Sequence, residues 1–208
     1  MATTAAIQAI TEAMIRALKD APRPTTWPEV KVLAFRGQDF ASPPAELPAE
    51  AMGVSIYLWR VGLNAPMRNR RYPVAPDGTR LKPPVVVDLM YLLSTWGKIA
   101  LDQHLLMGWA LRAIADVGPL PSGLLNSGTT SNVFAPGDAV ELAWEPLPVE
   151  FAGPLSDLLK HNWPPSVVLT ARGVAIDSLN NETPDGPPVQ RRGIATQSWD
   201  EAREGVSS

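Results

Sequence analysis

The chain has no cysteine. Disulfides, thiolate metal sites and cysteine nucleophiles are therefore excluded together, and the composition fits a protein made in a reducing compartment. Histidine is nearly as scarce, with His104 and His161 the only two. They lie far apart, no pair has metal-ligand spacing, and no H-E-x-x-H occurs. The ordinary role of each is structural. His104, between Gln103 and Leu105, can donate a ring N–H to a local carbonyl, while His161 falls at an expected helix C-terminus, where positive charge is favoured. Phosphate-cradling glycine patterns are missing too. No strand is followed by G-x-G-x-x-G, and neither G-x-x-x-x-G-K-[ST] nor the hydrolase elbow G-x-S-x-G is present. The segment Ser127-Gly-Thr-Thr-Ser131 reads as a polar turn.

A strong excess of either charge is also lacking. Eighteen Lys and Arg face 21 Asp and Glu, for a formal charge of −3. Nothing in that balance calls for a nucleic-acid partner. No apolar run reaches bilayer-spanning length, and the opening Met1-Ala-Thr-Thr has no basic region ahead of its apolar residues, as a signal peptide would. The expectation is a soluble protein assembled in the cytoplasm, with no membrane partner, that leaves the cell only as part of a larger particle.

What the chain does have is proline and tryptophan, 22 and seven in 208 residues. Proline is excluded from helix interiors and central strands, so several long loops of fixed shape are expected. The tryptophans divide between core and subunit contacts. With 45% hydrophobic residues there is enough apolar material for one domain.

Periodicity places the elements. Residues 3 to 20 form an amphipathic helix on Ile7, Ile10, Met14, Ala17 and Leu18, capped by Thr3 or Thr4 and ended by Pro22 and Pro24. Strands are expected over 30–35, 53–61, 84–96, 139–145 and 167–176. The clearest alternation is Val54, Ile56, Leu58 against Ser55, Tyr57, Trp59, and 84–96 reads as a buried central strand. A second helix over 101–117 carries the row Leu101, Leu105, Trp109, Ala113, Val117 with Leu106, Ala110 and Ile114 beside it, and stops at Gly118-Pro119. A third helix is expected over 149–161. The result is an α+β (mixed α/β) domain over 1–178, with helices packed on a single sheet of about four or five strands. A flexible tail or arm follows over 179–208.

Two polar features stand out. The segment 62–84 is locally basic, with Arg60, Arg68, Arg70, Arg71, Arg80 and Lys82 near a single acid, Asp77. Asp77-Gly78 suits a hairpin tip. Arginines grouped this way either dock an acidic partner or a neighbouring subunit, through bidentate pairs with carboxylates, or solvate the loop. An RNA-binding reading would want interleaved aromatics, and only Tyr72 qualifies. Asp88 lies inside the buried-looking strand, where an acid is costly unless partnered. It could pair with an arginine of 60–82, face the solvated side of an edge strand, or serve as an acid catalyst; no second catalytic group can be placed beside it.

Several segments resemble a known family when taken in order. They are Val54-Ser-Ile-Tyr-Leu-Trp-Arg-Val61, Asn64-x-x-Met-Arg-Asn-Arg70, Pro83-Pro-Val-Val-Val-Asp-Leu-Met-Tyr-Leu-Leu-Ser-Thr-Trp96 and Gln103-x-Leu-Leu-Met-Gly-Trp-Ala-Leu-Arg112. Val140-Glu-Leu-x-x-Glu-Pro-Leu-Pro-Val-Glu150 and Pro165-Ser-Val-Val-Leu-Thr-Ala-Arg172 complete the set. Over residues 54 to 176 the chain resembles the N-terminal domain family of the cap, or tube-terminator, protein of phage-tail-like contractile injection systems. The resemblance implies a structural subunit with no enzymatic activity and no cofactor. It implies a homohexameric ring that ends the inner tube, with the inner tube protein and the sheath protein as partners. On that resemblance Arg68, Arg70, Arg71 and Arg80 are candidate contacts to the tube or to the adjacent subunit. Asn64 and Asp88 become candidate structural partners that fix the loop, and Trp199 a candidate anchor in the tail. Two other readings stay open: a tail-terminator or connector of a phage or prophage, and an enzyme resting on Asp88 and the polar turn.

Overall fold

A run of alternating apolar residues becomes a strand only when a partner receives its apolar face, and here three long strands supply that mutual cover. The computed structural model describes residues 2–47, 51–64, 66, 82–129, 132–147, 153, 157 and 163–178. Among these, α1 spans Ala6–Asp20, β1 Lys31–Ala34, β2 Gly53–Leu63, β3 Val85–Trp96, α2 Ala100–Val117, β4 Leu120–Pro121, α3 Ser122–Asn126, β5 Ala139–Glu145 and β6 Ser166–Ile176. A single turn of 3-10 helix, Gly37–Phe40, lies between β1 and β2.

The strands form one sheet in the order β1-β2-β3-β6-β5-β4. β1 runs parallel to β2, and every other neighbouring pair is antiparallel. The architecture is the expected α+β arrangement with β3 inside the sheet. The strand count is six rather than four or five. The extra strand is β4, two residues that pair with Ala139 and Val140, too short to show any period. α3 escapes a periodic reading for the same reason. Of the expected third helix over 149–161, Gly153 and Asp157 have helical backbone, and the rest lies outside the described residues.

One face of the sheet carries the main core. Ile10, Met14 and Leu18 of α1 and Leu106, Ala110 and Ile114 of α2 pack on Val54, Ile56, Leu89, Tyr91, Leu93, Leu169 and Ala171. α1 begins at Ala6, three residues later than expected. Thr3 does not cap it with a side-chain bond to the helix; its Oγ1 accepts the Ala5 N–H at 3.4 Å, and its carbonyl accepts the Ala6 N–H at 3.0 Å. The opposite face holds a smaller cluster, in which Phe35, Phe40, Leu47, Leu92 and Val168 meet Tyr57 and Trp96. Phe40 is brought there by the 3-10 turn, where Asp39 accepts the Arg36 backbone N–H at 2.7 Å and its guanidinium Nη2 at 3.1 Å. The side-chain hydrogen bond from Arg36 holds the Asp39 carboxyl below its ordinary pKa.

Two irregularities bend the sheet within a few residues of each other. Register shifts between Leu58 and Arg60 where β2 meets β3, so that Trp59 is extra. It shifts again between Val87 and Leu89 where β3 meets β6, so that Arg172 and Gly173 oppose Asp88. Gly173 has φ +66, a conformation that side-chain-bearing residues rarely adopt. Each bulge adds local twist, and the sheet curls.

Candidate docking surface

Asp88 and its partners form the root of the basic segment. Asn64, the residue after β2, donates from Nδ2 to both Asp88 oxygens, at 3.0 and 3.1 Å. The backbone N–H of Asn64 bonds to the Val86 carbonyl at 2.9 Å. On the other side the Gly173 N–H donates to Asp88 Oδ1 at 2.7 Å. One half-buried carboxylate thus accepts from β2's end and from the β6 bulge at once. Strand pairing continues past it, with Gly62 opposite Asp88 and Leu63 opposite Val87. Asp88 therefore sits on an interior strand and not on an edge strand.

The same sheet face continues as a polar strip. Arg172 bonds Glu145 through Nε at 3.1 Å and also through Nη2, and Thr170 donates to the second Glu145 oxygen at 3.0 Å. The hydrogen bond to Glu145 holds the Arg172 guanidinium above its usual pKa. At the sheet's end the Asp177 N–H bonds to the Ala2 carbonyl at 2.8 Å, and burial pushes the Asp177 carboxyl up.

Exposed apolar side chains fall at both ends of β3. Val61, Leu63 and Val85, exposed by 49, 61 and 53%, line the root of the basic segment. Leu63 is paired with Val87, one position away on the same strand face as Val85. At the opposite end, Ile99, Leu101 and Leu105 are exposed by 53, 72 and 52%. Leu101 and Leu105 of the first row stay out of the core, Ala113 of the same row enters it, and Trp109 and Val117 pack against it. Leu106, Ala110 and Ile114 of the row beside are buried in it. Periodicity shows that a stripe exists on α2, but which part of it meets the sheet depends on the helix's rotation over Leu93 and Val54. Trp109 lies at the margin, its Nε1–H bonded to the Pro22 carbonyl at 2.8 Å and its ring edge-on to Trp27.

Of the sequence candidates, Asn64 and Asp88 are thus brought together in space. Arg68, Arg70, Arg71, Arg80 and Trp199 lie outside the described residues, as do Asp77, Gly78 and His161. Arg60 and Lys82, which flank the segment, are exposed, and so is His104. Sequence reasoning missed Gly173 as a partner of Asp88, since a bulge leaves no periodic trace. Among the described residues no group of three or more His, Asp and Glu is placed to hold a metal. No helix among them is long and apolar enough to cross a membrane.

Among curated proteins none matches the chain. Solved structures that resemble it include two terminators. The first is the sheath/tube terminator of an extracellular contractile injection system, PVC, in its extended state. It shares 16% identity at a TM-score of 0.57, over 86% of this chain and 58% of that one. The second is the tube-terminating cap of the anti-feeding prophage, with 14% identity and a TM-score of 0.44, over 88% of this chain and 59% of that one. The chain therefore spans under two thirds of the length of either. The first likeness establishes a shared fold. The model of the Pvc16 N-terminal domain matches residues 5–191, past residue 178 and into the expected tail. With nearly the whole chain matched, this protein belongs to the Pvc16 N-terminal domain family.

Proposed function

We propose that the protein is a structural cap subunit of a contractile injection system. In this reading it forms a ring that ends the inner tube and holds the top of the sheath. The observation that carries the reading is the family match over residues 5–191, joined to a fold shared with a sheath/tube terminator. A subunit in such a ring needs one surface for its neighbour and a different one for the layer beneath, because a cyclic ring closes through heterologous contacts. The two exposed apolar groups at opposite ends of β3 are candidate contacts to the layers next to the ring. The basic segment 62–84, in which Asn64 bonds Asp88, is the candidate contact to the tube or the adjacent subunit. No step of this function requires catalysis or a cofactor.

Deleting the gene and imaging the particles tests the reading. Overlong tubes, or tubes that have lost their sheath, are expected. Particles of normal length with sheath attached would overturn it. If the gene instead stands beside capsid and portal genes, and its loss leaves heads without joined tails, the phage terminator or connector reading takes its place.

A further inference from the structure

Among the described residues, both edges of the sheet lack a further strand along short stretches of matching length. β1 ends the sheet on one side. On the other, β4 covers only Ala139 and Val140, leaving Leu142–Glu145 without a strand beside them among the described residues. Such edges attract further strands unless something covers them. The backbone orientation at each edge is fixed by bonds inside the sheet. The N–H groups of Lys31 and Phe35 bond to the carbonyls of Met52, just before β2, and Ile56 within it, at 3.0 and 2.9 Å. By alternation Val32 and Ala34 point their backbone groups outward. Just before β5 the carbonyl of Asp138 accepts from the Ser122 N–H, at 2.9 Å, on the β4 side. The same alternation turns Leu142 and Trp144 outward.

We propose that neighbouring copies join edge to edge, β1 of one pairing antiparallel with Leu142–Glu145 of β5 in the next, so that the sheet continues around the ring. This deepens the cap reading and rests on it. Strand direction permits the join. β1 is parallel to β2, and β2, β3, β6 and β5 alternate, so β1 and β5 run oppositely. Copies related by rotation about a ring axis would meet with these edges antiparallel, the more stable pairing.

Register follows from what blocks the alternatives. Placing Val32 opposite Trp144 puts Ala34 opposite Leu142, Leu33 opposite Ala143 and Lys31 opposite Glu145. A slip of two residues one way sets Ala34 against Val140, whose outward groups already pair with Leu120. A slip of two the other way sets Val32 against Pro146, which has no N–H. A slip of one is barred because it turns the side chains to the wrong face. In the remaining register the faces agree. Val32 and Trp144 share the helix-covered face, the first packed in the main core and the second opposite Leu169. Trp144 is 39% exposed, so a neighbouring strand would give it cover. On the other face Lys31, already paired with Glu29 at 2.7 Å, would stand opposite Glu145, which is held by Arg172 and Thr170, so the charges there do not clash.

Disulfide trapping tests the pairing without background, because the chain has no cysteine. Leu33 and Ala143 would form a pair without mutual hydrogen bonds, whose Cα atoms lie about 4.5 Å apart, inside the disulfide range of about 4.4–6.8 Å. The full chain carrying Leu33→Cys and Ala143→Cys is oxidised, both alone and within purified particles, and run on a non-reducing gel. The expected result is loss of the monomer band to a ladder ending at the ring, with no ladder from either single variant. Rings or capped particles that stay uncross-linked would overturn the strand pairing and leave the cap reading standing. A wild-type chain that stays monomeric and is absent from particles would overturn both. A second variant, Ala34→Pro, removes only an N–H that points to the open edge. It should abolish the ring while leaving the melting temperature unchanged, and a ring that survives it would equally overturn the pairing.

Discussion

Asp88 holds three strands in register with one side chain. Its oxygens take the Asn64 amide and the Gly173 N–H, so removing the carboxylate strands two donors. Asp88→Ala should cost about 1–3 kcal/mol, read as a shift in denaturant midpoint. Asp88→Asn, which keeps one acceptor, should cost less. Tyr91 makes the second prediction at this scale. Its side chain is fully buried, its hydroxyl lies 3.1 Å from Thr11 Oγ1, and burial pushes its pKa up to about 12. An acid whose pKa is higher folded than unfolded contributes stability that is intact below the unfolded value, about 10. That contribution is lost as pH rises towards the folded value. Wild type should therefore lose on the order of 2 kcal/mol between those limits, and Tyr91→Phe should not. Subtracting the two pH–stability curves isolates the effect from lysine titration. That Asp88 needed a partner was legible in the sequence, since an acid inside an apolar run must be compensated. Gly173 was not, because only the bulge brings its N–H to the carboxylate.

Among the elements, the long strands and both long helices were legible because each repeats its period several times. Val54–Leu58 alternates over enough residues to fix both identity and face, and Val85–Trp96 is an apolar run long enough to read as a central strand. β4, α3 and the 3-10 turn hold two, five and four residues, and no period can be read from so few. The buried face of α2 was not legible for a different reason. Its apolar stripe is wider than the contact it makes, so sequence alone does not say which edge of the stripe is covered. The consequence is measurable by denaturation. Leu106→Ala should cost about 2–5 kcal/mol, whereas Leu101→Ser with Leu105→Ser should leave stability within about 0.5 kcal/mol of wild type. The same pair of changes should weaken incorporation into particles if that surface docks another subunit.

For the whole molecule, the proposed cap role is tested on segments at the margins of the described fold. Changing Arg68, Arg70 and Arg71 together to Glu should give uncapped or overlong tubes while the monomer melts as wild type. Capped particles of normal length would remove these arginines from the docking surface. Deleting residues 180–208 should detach the sheath while tube ending persists, with electron microscopy as the readout. Retained sheath would leave the tail, Trp199 included, without that role.

The two bulges also have a mechanical meaning. They cross three adjacent strands at nearly one level, at Trp59 and at Arg172–Gly173 opposite Asp88, and so divide the sheet along a crease. Beyond the crease lie Val61–Asn64 and Val85–Val87, a stub of about 10 Å at the strand rise per residue. A change of 10° at the crease would shift the outer end by roughly 2 Å over that length. The Asp88 carboxylate sits at the fulcrum of that lever. Small changes at Asp88 should therefore re-aim whatever the segment beyond Asn64 touches, well before they unfold the protein.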